Sequence, residues 1–256
     1  MYIAIQTKSM LDKNIFNRAF YDNSQKEVQE LIRETLSDWK NTNNFLVDGI
    51  RNIDAYEQQQ LKVLVLLGEP YGFDKCGTVS IVGKMFNDLA MDGIKKVPSN
   101  RKVGALLWLI FKSIQENRAL SPDSVGKLFT KHNELLQALE KAAWVNVKKQ
   151  FNNSGSSRQS NQEICEHAKK NEAVLRKQIK SISPDLIIVC SNPVIESVIN
   201  MRLLGDVALK TKNVVHQNSD GQKIIHVSHP SYYPHWGYNG IFNTYKIIFD
   251  YLKSGR

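Results

Sequence analysis

The chain has 256 residues and is 42% hydrophobic, which is enough for one large domain or for a domain with an additional lobe. Its 34 Lys and Arg residues outnumber the 25 Asp and Glu residues, and the net charge of +9 favours a polyanionic partner such as nucleic acid. No apolar run approaches the roughly 18 residues of a membrane-spanning helix, and the segment after Met1 lacks the apolar stretch of a secretory signal, so we expect a cytoplasmic protein with no membrane partner.

The first sixty residues have a helical pattern. Ser24 and Glu27 have the spacing of a capping box, and apolar residues then recur at helical spacing as far as Trp39. We predict a helical N-terminal lobe over residues 1–60 and an α/β domain over residues 61–256.

Strand and helix patterns alternate in the rest of the chain. Continuous apolar runs predict buried parallel strands over residues 62–67, 143–147, 185–190 and 223–227. Helical periodicity predicts helices over residues 80–94, 101–117, 131–142, 163–181, 193–201 and 239–253. The polar composition of residues 150–161 predicts a loop there. This order predicts a three-layer α/β/α fold with a central, mainly parallel four-stranded sheet.

Polar side chains follow three of the predicted strands. Glu69 comes after the first strand, Asn146 ends the second, and His229 follows the last, where Pro230 forces the chain out of the sheet. Parallel strands place their carboxyl ends at one edge, so we expect these side chains to share a cleft.

Cysteine spacing gives no sign of a metal or a cofactor. Cys76, Cys165 and Cys190 are far apart and form no CxxC pair, which argues against a disulfide framework, a zinc site and an iron–sulfur cluster. The chain also lacks a GxxxxGK[ST] loop, which argues against a nucleotide-hydrolysing motor. We therefore expect a protein without a cofactor.

Three short motifs at the strand ends occur in the order known from one enzyme family. They are Gly68-Glu69-Pro70-Tyr71-Gly72, Val145-Asn146-Val147 and His229-Pro230-Ser231. With the strand over residues 184–189, they resemble the uracil-DNA glycosylase superfamily across residues 60–252. The sequence of the first motif is intermediate between that family's GEAPG and GQDPYHG forms, and it is one residue shorter than the second form. The cysteines that hold the cluster in the cluster-containing branch are absent. The chain thus resembles a divergent branch without an iron–sulfur cluster.

The resemblance implies a monofunctional DNA glycosylase that hydrolyses the N-glycosidic bond of an altered pyrimidine flipped out of DNA. Two substrates stay open: uracil, and a modified cytosine such as the glucosylated hydroxymethylcytosine of phage DNA. The role would then be base excision in DNA repair or in phage defence. A non-catalytic nucleic-acid-binding module and an N-glycosidase acting on nucleosides or nucleotides are the alternatives. We expect a monomer whose partner is single- or double-stranded DNA.

Breaking this bond leaves negative charge on the base and positive charge on the sugar. We assign His229 to donate a hydrogen bond to the base oxygen as charge develops there. Glu69, or alternatively Asp74, would balance the charge on the sugar and orient a water molecule.

The remaining candidates bind the base or the DNA. Asn146 offers a donor and an acceptor to the Watson–Crick edge, and its two amide orientations suit either uracil or cytosine. Tyr71 or Phe73 would stack on the base. The residues expected to contact DNA, by binding phosphate or by entering the base stack, are Lys148, Lys149, Ser231, Tyr232, Tyr233 and Trp236.

Overall fold

The computed structural model describes residues 46–50, 52–68, 79–80, 98–148, 161–200, 202–207, 211–230 and 235–255. In these ranges the strands are β1 (Leu46–Val47), β2 (Gly49–Ile50), β3 (Val63–Leu67), β4 (Val79–Ser80), β5 (Ala143–Asn146), β6 (Leu186–Cys190), β7 (Val215–Gln217) and β8 (Lys223–Val227). The helices are α1 (Ile53–Glu57), α2 (Pro98–Glu116), α3 (Asp123–Leu128), α4 (His132–Glu140), α5 (Asn161–Lys170), α6 (Glu172–Ile182), α7 (Asn192–Asn200) and α8 (Tyr238–Lys253).

The main sheet has six strands in the order β2-β5-β3-β6-β8-β7. The four inner strands are parallel to one another, whereas β2 and β7 run antiparallel at the two edges. The α/β class is confirmed, but the expectation of a four-stranded sheet is wrong, because the sheet is six-stranded and mixed. The edge strands escape sequence reading because two or three residues are too few to show periodicity. A separate pair, β1 with β4, is parallel.

Helices cover both faces of the sheet. Alternate side chains point to opposite faces, so Val63 and Val65 pack against α2, α3, α4 and α8. Leu64 and Leu66 pack on the other face with α5, α6 and α7. The unbroken apolar runs therefore reflect burial of the inner strands from both sides.

The described part of the predicted N-terminal lobe packs on the sheet. Residues 46–47 and 49–50 form β1 and β2, so the helical prediction is wrong for them, and α1 is the one helix among the described residues before residue 61. Tyr56 on α1 is buried, and its hydroxyl donates to the Ile182 carbonyl at 3.2 Å. Residues 1–45 lie outside the described residues, and the division of the chain at residue 60 stays a prediction.

Four of the predicted helices agree in position with α2, α4, α7 and α8. A fifth predicted helix is interrupted in the structure. The helix expected over residues 163–181 is two helices, α5 and α6, which meet at Asn171. The side-chain Nδ2 of Asn171 donates to the His167 carbonyl at 2.9 Å, which stabilises the end of α5. The helix expected over 80–94 and the loop over 150–161 fall almost wholly outside the described residues. None of the described helices is both long and apolar enough to cross a membrane.

Candidate functional site

The carboxyl ends of the four parallel strands lie along one edge of the sheet. Leu67 is opposite Asn146, and Cys190 is opposite Val227. The alignment continues past the strands, since the Lys148 amide donates to the Gly68 carbonyl at 2.8 Å. With strands about 4.8 Å apart, the backbones at the two ends of this row are about 14 Å apart.

The structure thus brings Asn146 and His229 to the same edge, on its two outer parallel strands. Gly68 and Ser191 follow β3 and β6 between them. A ligand lying over Gly68 and Ser191 would have Asn146 on one side and His229 on the other.

Gly68 allows the end of β3 to pack closely against two helices. A Cβ atom at this position would lie 3.1 Å from Ile164 Cδ1 and 3.4 Å from Val194 Cγ2. Ser191, at the end of β6, has a φ of 98°, which L residues seldom adopt. Backbone strain of this kind occurs preferentially at functional sites, so it supports this edge as the candidate site.

The Asn146 carboxamide is held by a buried acid. Asn146 is 1% exposed and Asp48 is 2% exposed. The backbone N–H and the side-chain Nδ2 of Asn146 donate to Asp48 Oδ2 at 2.6 and 3.3 Å. A carboxylate only accepts hydrogen bonds, so Nδ2 faces Asp48, and the orientation that the sequence left open is assigned by this network. Among the described residues, Asn146 Oδ1 has no hydrogen-bond partner.

His229 lies beside a positive charge contributed by α2. Burial lowers the pKa of His229, and the nearby Lys102 ammonium lowers it further. Lys102 Nζ donates to the Pro230 carbonyl at 3.1 Å, so α2 also holds the turn that follows His229. The pKa of Lys102 itself is lowered by partial burial and by Arg101. Because the ordinary pKa of a histidine is about 6.5, the imidazole of His229 is mainly neutral at pH 7.

Two predicted DNA-contacting residues are buried. Lys148 is 5% exposed and its Nζ lies 3.5 Å from Glu163 Oε2, so it would have to leave this ion pair to reach a phosphate. Trp236 is 3% exposed and its indole donates to the Ser228 carbonyl at 2.7 Å. The predicted DNA contacts of Lys148 and Trp236 are therefore corrected for the described structure, because ion pairing and packing hold both side chains inside.

The other predicted site residues lie outside the described ranges, and their roles stay predictions. They are Glu69, Tyr71, Phe73, Asp74, Lys149, Ser231, Tyr232 and Tyr233.

Sequence reasoning missed Asp48, Lys102 and Gln178. Asp48 lies between two strands too short to recognise, and the pair Arg101-Lys102 has the pattern of a solvated helix surface. Gln178 left a usable signal, since it is a polar residue at a position where the periodicity of α6 expects an apolar one.

A cavity lined by described residues lies elsewhere in the molecule. Its volume is about 790 Å³, and it is lined by α1, α2 and α4 together with Leu61. Leu61 precedes β3, so this cavity adjoins the amino end of that strand, opposite the edge with Asn146 and His229. Within the described ranges, no group of three or more His, Cys, Asp or Glu side chains is placed to hold a metal ion.

Comparison with known proteins gives no assignment for this chain. No protein-family model matches it, and a search of curated proteins finds no significant match. The resemblance to the uracil-DNA glycosylase superfamily therefore stays a prediction that rests on its motifs.

Proposed function

We propose that this protein is a monofunctional DNA glycosylase that removes an altered pyrimidine after the base has been flipped out of DNA. The main support is that two groups lie at one sheet edge: the buried carboxamide of Asn146, whose Oδ1 has no partner among the described residues, and the mainly neutral imidazole of His229. An enzyme that removes a flipped base must recognise the base and donate a hydrogen bond to it as negative charge develops. Asn146 can do the first and His229 the second.

Asn146 supplies the recognition in this proposal. Its Oδ1 accepts a hydrogen bond, so it suits the ring N–H of uracil or the exocyclic amine of a cytosine. Both substrates of the proposal, uracil and a modified cytosine of phage DNA, present such a donor. The choice between them decides whether the enzyme acts in repair or in defence.

His229 supplies the donor. As the glycosidic bond breaks, negative charge develops on the base oxygen, and a neutral imidazole has an N–H that can donate to it. A donor placed in advance at such a position typically lowers the barrier by about 2.7–4 kcal/mol. Flipping the base out of the duplex costs a few kcal/mol of unstacking and unpairing free energy. Contacts between this basic chain and the DNA phosphates would offset that cost.

A base-release assay tests this function. Purified protein is incubated with duplex and single-stranded DNA that contains uracil, hydroxymethylcytosine or glucosylated hydroxymethylcytosine, and the free base and abasic sites are measured. We expect release of at least one of these bases and a loss of about 100- to 1000-fold in the rate for His229→Ala.

The matched control is His216→Gln, because His216 lies on β7 opposite Ile224, towards the amino half of β8. This variant should keep the wild-type rate. Tight DNA binding with no base release from any substrate would contradict the proposal and favour the non-catalytic binding module. Release from free nucleosides with no salt-sensitive DNA binding would favour the nucleoside N-glycosidase.

A further inference from the structure

Asp48 is a buried acid in the segment before the predicted α/β domain. It lies between β1 and β2, and the pairing of Gly49 with Trp144 places it beside the end of β5. A buried carboxylate is retained only where hydrogen bonds compensate for its lost hydration. Its partners therefore indicate what it does.

Two carboxamide side chains donate hydrogen bonds to Asp48. Its Oδ2 accepts from the backbone and side chain of Asn146, and its Oδ1 accepts from Gln178 Nε2 at 2.9 Å. Gln178 is also buried, so the cluster of Asp48, Asn146 and Gln178 is enclosed between β2, β5 and α6. Each carboxamide must turn its nitrogen towards the acid, because the acid offers only acceptors.

Turning the Asn146 amide over would be unfavourable. Its Oδ1 would then face a carboxylate oxygen, and a hydrogen bond to a charged group would be lost. Such a bond corresponds to a preference on the order of 10- to 100-fold for the observed orientation. As a result, Oδ1 points away from Asp48 as a buried acceptor without a partner among the described residues.

We propose that Asp48 is a positioning residue that fixes Asn146 with its acceptor towards the ligand, so that the site selects a base with an N–H donor at that point. The proposal rests on the function proposed above and adds a residue from outside the resembling motifs. A base methylated at that nitrogen lacks the donor and leaves Oδ1 unpaired, which a buried acceptor tolerates poorly.

The variant Asp48→Asn tests this role. The replacement has nearly the same shape, but an amide at position 48 can offer either its oxygen or its nitrogen, so Asn146 can adopt both orientations. On the base that the wild-type enzyme releases best, we expect kcat/KM to fall on the order of 10- to 100-fold. We also expect the discrimination against the N-methylated form of that base to shrink. Asp54→Asn on α1 is the matched control, since it removes an exposed acid from the same segment.

A readout without catalysis separates this proposal from the proposed function. The side-chain amide protons of Asn146 are followed by NMR in wild-type protein and both variants. In the wild-type protein and in Asp54→Asn, we expect the proton bonded to Asp48 to exchange slowly with water, and in Asp48→Asn to exchange at least about 10-fold faster. If Asp48→Asn does not fold, Gln178→Met replaces it, and the same direction of change is expected because Asp48 then loses its second amide partner.

Each outcome has a defined meaning. Unchanged amide exchange and unchanged kcat/KM in Asp48→Asn would overturn the positioning role while leaving a glycosylase intact. Absence of base release by the wild-type protein would overturn the proposed function, and the amide exchange would then decide the positioning role alone. Fast exchange of the Asn146 amide proton in the wild-type protein would overturn the positioning role of Asp48.

Discussion

Two histidines at the end of β8 show how burial and charge set protonation. His226 is on the strand and His229 follows it, and burial lowers the pKa of both. A lysine ammonium adds to the effect in each case, Lys212 for His226 and Lys102 for His229. Both imidazoles are therefore favoured in the neutral form, in a chain with a large positive net charge.

The buried His226 should make stability depend on pH. Burial lowers its pKa to about 4, whereas a histidine in the unfolded chain has a pKa of about 6.5. Between these values the unfolded state binds more protons, so the free energy of unfolding falls as the pH falls, by roughly 3 kcal/mol over the window. His226→Gln should remove most of this slope, which urea unfolding at several pH values between 7 and 4 would measure.

His235→Gln is the control for this experiment, because His235 is exposed. That variant should keep the wild-type slope. Equal slopes for wild-type protein and His226→Gln would show that His226 is not the group responsible.

The sequence predicts residues of the candidate site only where they end a strand or come just after one. Asn146 and His229 were found because strand ends are recognisable and parallel strands share an edge. Asp48 and Lys102 reach the same edge through tertiary packing, which leaves no pattern in the local sequence. The burial of Lys148 and Trp236, which the sequence assigns to DNA contacts, has no local signal, because a strand-end segment has the same composition whether its side chains point to solvent or to the core.

At the scale of elements, the strands that the sequence predicts are those that are long and buried on both faces. β3 and β6 were recognisable because burial on both faces requires unbroken apolar runs. β2 pairs with β5, and β7 pairs with β8. Both edge strands are too short to show a hydrophobic pattern in the sequence. The division between α5 and α6 was missed because the apolar spacing of Ile164, Ala168, Leu175 and Ile179 continues across Asn171.

The close packing of β3 against α5 can be tested at Gly68. A methyl group at this position would lie 3.1 Å from Ile164 Cδ1, so Gly68→Ala should lower the free energy of unfolding by roughly 1–3 kcal/mol. Combining it with Ile164→Val removes the clashing atom, and the double variant should lose less than the sum of the two single variants. Urea unfolding of the three proteins measures the coupling.

Gly126→Ala serves as the control, because an added Cβ on α3 would meet no atom of the described residues within 4 Å. It should be neutral or stabilise by up to about 1 kcal/mol. Strict additivity of Gly68→Ala and Ile164→Val would mean that the end of β3 moves freely relative to α5.

At the scale of the whole molecule, the segment before residue 61 contributes to the α/β core. β2 pairs with β5, Tyr56 is buried, and Asp48 contacts Asn146. A chain of residues 61–256 should therefore be less stable than the full chain by about 3–5 kcal/mol, from lost burial and hydrogen bonds.

Urea unfolding of the full chain, the shortened chain and the full chain with Tyr56→Ala measures this effect. The single substitution separates the contribution of α1 from that of β2. A shortened chain as stable as the full one would support an independent domain that begins at residue 61.

The two short antiparallel strands at the margins of the main sheet have a consequence for behaviour at high protein concentration. A long, flat margin of unpaired amides recruits strands from neighbouring molecules and leads to fibrils. Here the long parallel strands all have neighbours on both sides, and the outermost strands present only two and three residues. Because these two short strands cover β5 and β8, they limit intermolecular β-aggregation through the described sheet.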